Sequence, residues 1–212
     1  GIHLMPDFFI PVLYSIFGFL LGGVLFSYHL PKLLRGVDIV ALSPDHNPGT
    51  ANAVKLCGLP LGLLCLALDM AKGFLPVWLA MRRLPPDTLW LAPVLLAPVL
   101  GHALAVFYPF RGGKAVAVTF GTLLGLLPFS YAVFALALPY IFFSTIVVLH
   151  PNERRSVVSF FLLGAFCVLA SLRTHHFGVA LGTSGIALVG MWKNRVRDPL
   201  FRRRPDLEES RF

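Results

Sequence analysis

Charge is what this sequence has least of. Only 13% of its 212 residues are Asp, Glu, Lys or Arg, where an ordinary soluble domain carries about 25%. A soluble helical domain needs a polar face on each surface helix, and most of the apolar runs here have none. Acid is scarcer than base, with ten carboxylates against 18 Lys and Arg. That is thin material for a metal-dependent phosphotransferase, whose cation needs several oxygen ligands. The three cysteines, Cys57, Cys65 and Cys167, have apolar neighbours and no CxxC spacing. This argues against a disulfide framework or a zinc site and leaves them as small buried hydrophobes. HExxH, GxSxG and Walker patterns are missing, and no nucleophile–base pair stands out. There is no internal repeat, and only Asp69 and Lys72 put charge inside a span, which argues against a transporter. Basic residues do not interleave with aromatics in a soluble module, so a nucleic-acid role has no support.

What the chain does have is apolar length. Hydrophobic residues make up 57% of it, with a mean hydropathy of +0.77. Seven apolar segments are expected, near 8–28, 58–81, 88–109, 114–127, 128–149, 156–172 and 177–192. The fold class is therefore all-α, a polytopic integral membrane protein of about seven transmembrane helices. The fourth segment is short for a span. Prolines 60, 76, 93, 98 and 139 fall inside spans, where neighbouring helices can re-satisfy the backbone. Residues 1–7 read as a tag remnant and outer N-terminus, with a natural start at Met5. Residues 8–197 read as one membrane domain, and 198–212 as a basic tail. The first apolar run is too long, and too poor in preceding base, for a cleaved signal peptide.

The basic residues are lopsided. Lys32, Arg35, Lys55, Arg111, Lys114, Arg154, Arg155 and the seven Lys and Arg of 193–211 fall on one side of the expected spans, and only Arg82, Arg83 and Arg173 on the other. The positive-inside rule then puts the N-terminus outside and the C-terminus in the cytoplasm. The net charge of +8 gathers on that face, where it also suits anionic lipid.

Two polar segments lie on the same face. In Phe110-Arg111-Gly112-Gly113-Lys114, two glycines free the backbone to turn N–H groups toward an anion, and Arg111 and Lys114 supply charge. His102 lies upstream in span 3, as a group facing that loop or as a satisfied core histidine. In Ser43–Asn52, Asn47, Thr50 and Asn52 offer amide and hydroxyl groups, Pro48-Gly49 forces a turn, and Asp45 or His46 is available as acid or base. Asp69 and Lys72, at i and i+3 in span 2, are expected to pair and tie that span to a neighbour. Asn194 and Arg197 close span 7 beside the interfacial Trp192.

Together these pieces resemble a family. Asp38, Asn47-Pro48-Gly49-Thr50-Ala51-Asn52, Asp69-x-x-Lys72-Gly73, Gly101-His102…Phe107…Phe110-Arg111-Gly112-Gly113-Lys114 and Asn194-x-x-Arg197 follow, in order, the pattern of the bacterial acyl-phosphate:glycerol-3-phosphate acyltransferases, the PlsY family. The resemblance implies a multi-pass protein of the bacterial inner membrane with its site facing the cytoplasm. It implies acyl transfer from acyl phosphate to the 1-hydroxyl of glycerol 3-phosphate, giving lysophosphatidic acid and phosphate, without metal or other cofactor. It implies catalytic roles for Lys114, His102 and Asn194, and substrate binding by Asn47, Gly49, Thr50, Asn52, Arg111, Gly112, Gly113, Lys114, Arg197 and His46.

The sequence also departs from that pattern. Val40 stands where the family has Arg, Gly23 and Leu25 where it has a Gly-Ser-x-Pro element, Pro44-Asp45-His46 where it has Gly-Ser-Gly, and Met191 where it has His. Lys32, Arg35, His46 and Arg195 are the candidates to replace the lost ligands. The alternatives are a related acyltransferase with a different polar acceptor, or a non-enzymatic lipid-binding membrane protein. The sequence leaves the oligomeric state open.

Overall fold

The structure, a computed structural model, describes residues 8–195. Arg197, the basic tail and the first seven residues lie outside the described residues. Within them the chain forms ten helices and no strand.

The first apolar segment is not one helix. α1 (Phe9–Gly23) stops and α2 (Phe26–Arg35) restarts after Val24 and Leu25. α2 runs beyond the expected end at 28 and finishes at Gly36 in the left-handed region, φ +66°. Two short helices follow, α3 (Ile39–Leu42) and α4 (Thr50–Cys57), then the long α5 (Leu59–Met81). Asp38 starts α3 by accepting from the Val40 and Ala41 N–H groups, as an N-cap should.

α6 (Leu91–Leu104) ends five residues before the apolar run does. Its hydrophobic tail, Ala105 to Phe110, belongs to a strap that leads to α7 (Val116–Leu124). α8 (Ala132–Thr145), α9 (Asn152–Thr174) and α10 (Phe177–Asn194) complete the bundle. α9 begins a turn earlier than expected and so takes in the polar Asn152-Glu153-Arg154-Arg155 run.

Among the described residues, three helical stretches are long and apolar enough to cross a membrane: Phe9–Arg35, Leu59–Met81 and Asn152–Thr174. α6 and α8 are apolar but 14 residues long, about 21 Å of rise against about 30 Å of hydrocarbon. Apolar side chains face outward along α9, with Phe161, Phe166, Leu169 and Leu172 all more than half exposed. The interior instead holds Ser27, Asp69, Lys72, His102, Thr183 and Asn194. Grease outside and polarity inside is the arrangement a bilayer favours.

Small residues let the helices come close, as in other membrane bundles. Where α1 crosses α6, a Cβ on Gly22 would fall 2.2 Å from the Pro98 carbonyl oxygen, and one on Gly101 would fall 2.1 Å from that of Phe19. α6 in turn packs on α10, and α10 on α9. One end of this stack carries both polar segments.

Candidate functional site

The strap, residues 105–115, starts at Ala105, which takes a left-handed conformation at φ +49° and stops α6. It then doubles back over the end of α6. Gly112 and Gly113 are buried against that end. A Cβ on Gly112 would lie 2.3 Å from the His102 carbonyl oxygen, and one on Gly113 would lie 2.2 Å from His102 Nε2. No side chain fits at either position while His102 stays where it is. α10 fastens this arrangement twice. Lys193 Nζ donates to the Ala103 carbonyl at 2.8 Å, a cation on a helix C-terminus. Asn194 Nδ2 donates to the Lys114 carbonyl at 3.0 Å and to Gly190 O at 2.8 Å.

With its backbone held, Lys114 extends its ammonium between two carboxylates. Its Nζ lies 2.9 Å from Asp45 Oδ2 and 2.8 Å from Glu153 Oε1. The first contact reaches into the other polar segment and the second into the first turn of α9. Asp45 is itself fixed, because Asn52 Nδ2 donates to its Oδ1 at 2.8 Å and also to Asn47 O at 2.9 Å. Burial works to raise the Asp45 carboxyl, but the hydrogen bonds from Lys114 and Asn52, with the Lys114 charge, outweigh it and hold the group below its ordinary value.

Beneath the loops runs a buried polar line. The Thr50 and Ser27 hydroxyls lie 3.3 Å apart, and Ser27 Oγ donates to Asp69 Oδ2. Asp69 Oδ1 pairs with Lys72 Nζ at 2.7 Å. Lys72 also donates to the Val24 carbonyl at 2.6 Å and to His102 Nδ1 at 2.8 Å. An ammonium has three donors, and all three are used. Accepting at Nδ1 leaves the His102 proton on Nε2, the nitrogen under Gly113. The ion pair thus ties α5 to α2, to the α1–α2 break and to α6. The break has a local reason: an unwound turn frees a carbonyl, and Lys72 takes it.

An aromatic edge borders the strap. Tyr28, His29, Tyr108 and Phe110 contact one another, and His29 Nε2 and Tyr108 Oη lie 2.6 Å apart. Lys32 donates to Tyr28 Oη at 2.7 Å and pairs with Asp38 at 3.4 Å. α9 and α10 frame an apolar groove of about 630 Å³, lined by Leu149, Val157, Val158, Met191 and Trp192, with Arg154 and Arg195 also in its wall. Those two arginines are the chain neighbours of Glu153 and Asn194, which hold Lys114.

The structure therefore brings Asn47, Asn52, His102, Gly112, Gly113, Lys114 and Asn194 into one connected assembly. Thr50 joins through Ser27, and Gly49 starts α4, where a Cβ would fall 2.4 Å from Asn47 Nδ2. His46 lies apart from Lys114: its Nδ1 is 2.8 Å from the Val40 carbonyl, beside the position where the resembled family has Arg. Arg111 is exposed and makes no ion pair among the described residues. Arg197 lies outside the described residues. Residue-by-residue reading gives Ser27 and Tyr108 no place here and counts Glu153, with Asp38, Asp45 and Asp198, only as a carboxylate on the same face. For Glu153 the available signal was a carboxylate one position from a basic pair at a helix start. Ser27 and Tyr108 carried no signal. No group of three or more His, Cys, Asp or Glu is placed to hold a metal among the described residues.

Comparison with known proteins adds to this geometry. The sequence profile of a family described as glycerol-3-phosphate acyltransferase matches residues 12–197. The glycerol-3-phosphate acyltransferase of Halalkalibacterium halodurans is 30% identical over 184 residues, covering 84% of each chain. That of Myxococcus xanthus is 42% identical over 126 residues, 59% of this chain and 64% of the relative. That of Thermotoga petrophila is 39% identical over 109 residues, and there the match spans only about half of each chain, 51% of this one and 55% of the relative. Among solved structures, PlsY (YgiH), described as an integral membrane glycerol 3-phosphate acyltransferase in its glycerol 3-phosphate form, superposes with a TM-score of 0.74. It is 26% identical and covered over 88% of its length and 87% of this chain. Its lysophosphatidic acid form gives 0.72 at 27% identity.

Proposed function

Because the chain belongs to the glycerol-3-phosphate acyltransferase family, we propose that it moves an acyl group from acyl phosphate to the 1-hydroxyl of glycerol 3-phosphate. The observation that carries this reading is the Lys114 junction. One ammonium, held from behind by Asn194 and the packed glycines, stands where both polar segments and α9 meet.

Acyl phosphate is a mixed anhydride, so no protein nucleophile is needed. The protein has to bring two anions together, reduce their repulsion and align hydroxyl with carbonyl. Lys114 and the exposed Arg111 supply the charge, and Asn47, Asn52 and Thr50 the hydrogen-bonding edge. The glycerol oxygen forms a bond to the acyl carbon, the bond from that carbon to the phosphate oxygen breaks, and the hydroxyl proton goes to the departing phosphate. The products are lysophosphatidic acid and inorganic phosphate. The groove between α9 and α10 has the apolar lining for an acyl chain and two arginines, Arg154 and Arg195, for its anionic end. His46, beside Val40, and Lys32, beside Asp38, stand in for the missing arginine. Arg197 has the charge for a phosphate in this scheme.

In this reading seven segments cross the bacterial cell membrane, the N-terminus lies outside, and the site faces the cytoplasm. The distribution of Lys and Arg supports that orientation. Residues 8–197 then form the catalytic membrane domain.

The test is direct. Purified protein in detergent receives acyl phosphate and glycerol 3-phosphate, and both lysophosphatidic acid and phosphate are followed. Turnover that falls about 100-fold or more in Lys114→Ala is expected, on the scale of losing one charged transition-state donor. Activity with acyl-CoA instead of acyl phosphate would overturn the donor assignment. One observation favours a second reading, a different polar acceptor. At Gly23, where the family has Ser, a Cβ would fall 2.8 Å from the Phe107 ring. Competition by other polyol phosphates in the same assay separates the two acceptors.

A further inference from the structure

Among the described residues, Lys114 is the one strap residue that makes two salt bridges, and the two carboxylates are not equivalent. Asp45 has other partners. Asn52 Nδ2 donates to it at 2.8 Å and the Asn47 N–H at 3.4 Å, so its loop holds it whether or not Lys114 is present. Apart from Lys114, the Glu153 carboxylate is held only by its own backbone N–H among the described residues. Its side chain is 29% exposed against 35% for Asp45, so the difference between the two lies in their partners and not in their access to water. It can swing into water without leaving a buried charge behind. Lys114 cannot retreat, since its carbonyl is held by Asn194 and its two preceding residues are pressed on His102.

The charge balance makes this asymmetry matter. One ammonium between two carboxylates is a net-negative triad, and an arriving phosphate meets repulsion as well as attraction. Fixed backbone, fixed Asp45 and releasable Glu153 leave one economical route: the phosphate takes the place of Glu153. Resting on the acyl-transfer reading above, we propose that Glu153 is a resting counter-ion of Lys114 that the substrate phosphate displaces, and that it thereby sets the affinity of the site for phosphate-bearing ligands. Asp45 stays and aims the ammonium. Arg154, the next residue in the chain and part of the groove lining, gives the displaced carboxylate a nearby cation. Glu153 touches no reacting atom in this scheme. It is a specificity-determining residue that acts through Lys114.

The experiment measures binding of inorganic phosphate to the intact protein in detergent, by calorimetry or phosphorus NMR, so that no turnover is required. Wild type, Glu153→Gln, Lys114→Ala and the double variant form a cycle. Removing one partly exposed ion pair is worth about a two- to fivefold change, so Glu153→Gln is expected to tighten phosphate by about that factor, and Glu153→Ala to act in the same direction. The gain should vanish in the Lys114→Ala background, which a general change in surface field would not do. In turnover, KM for the phosphate substrate falls while kcat holds. Lys114-dependent phosphate binding that Glu153→Gln leaves unchanged or weakens would overturn the counter-ion role and leave the acyl-transfer reading standing. Phosphate binding indifferent to Lys114 would overturn both.

Discussion

Lys114 and Asp45, 69 positions apart in sequence, meet at 2.9 Å between Nζ and Oδ2. This contact joins the two polar segments of the chain. It makes the glycine-rich strap and the asparagine-rich loop one connected structure rather than two separate connectors.

The backbone support for that contact is testable at Asn194. Asn194→Ala removes the hydrogen bond to the Lys114 carbonyl and leaves that carbonyl short of a partner. A loss of about 1–2 kcal/mol in placing Lys114 is expected, or about 5- to 30-fold in kcat/KM. Steady-state kinetics with acyl phosphate check it. An unchanged kcat/KM would remove Asn194 from the positioning scheme.

Gly113→Ala brings a methyl group to 2.2 Å from His102 Nε2. Either the strap lifts or the imidazole leaves its hydrogen bond with Lys72, so activity should fall more than about tenfold and the melting temperature in detergent should drop, on the scale of overpacking a tight contact. Trimming the obstacle should compensate. The double variant Gly113→Ala with His102→Ala is expected to melt above the sum of the two single losses, as contacting sites do.

The buried pair gives a stability prediction. Lys72→Met leaves Asp69, 1% exposed, as an uncompensated carboxylate. About 3–5 kcal/mol of stability should be lost, or about 6–20 °C in melting temperature for a chain of this size. Lys72→Met with Asp69→Leu should recover most of it, because an apolar pair replaces the ionic one. Thermal unfolding in a fixed detergent reads both.

Asp45 predicts an acid limit. Its carboxyl is held below the ordinary 3.8 in the folded protein. The unfolded chain therefore takes up the proton first as pH falls. The stability Asp45 contributes is fully present above that ordinary value and is lost as pH drops through the lower folded one. Melting temperature followed from pH 6 down to about pH 3 should fall less steeply in Asp45→Asn than in wild type. An equal slope in the two would show that Asp45 carries none of the acid dependence.

Much of the fold could be read from the sequence, because apolar length and helix are nearly the same signal in a membrane protein. Each of the seven apolar segments contains a helix. Ends were less legible. The α1–α2 break at Val24 and Leu25 sits in an unbroken apolar run, and what holds it open is Lys72, 48 positions away. α6 stops at Leu104 although Val106 and Phe107 are apolar, because Ala105 turns left-handed to send the strap back over His102. For the site, residue type showed which groups could carry chemistry but not which partners they take. Lys114 stands out in its Gly-Gly-Lys setting. Glu153 is one of several carboxylates on that side, and only tertiary packing places it against the ammonium.

The contact between Gly113 and His102 also constrains how this sequence can change over time. A side chain at 113 and an imidazole at 102 exclude each other, so the two positions cannot drift independently. A lineage that shortened position 102 first could later accept bulk at 113. A lineage that tried the reverse order would pass through a chain whose strap does not close. The order in which the two positions can change is thus constrained by a gap narrower than one methyl group.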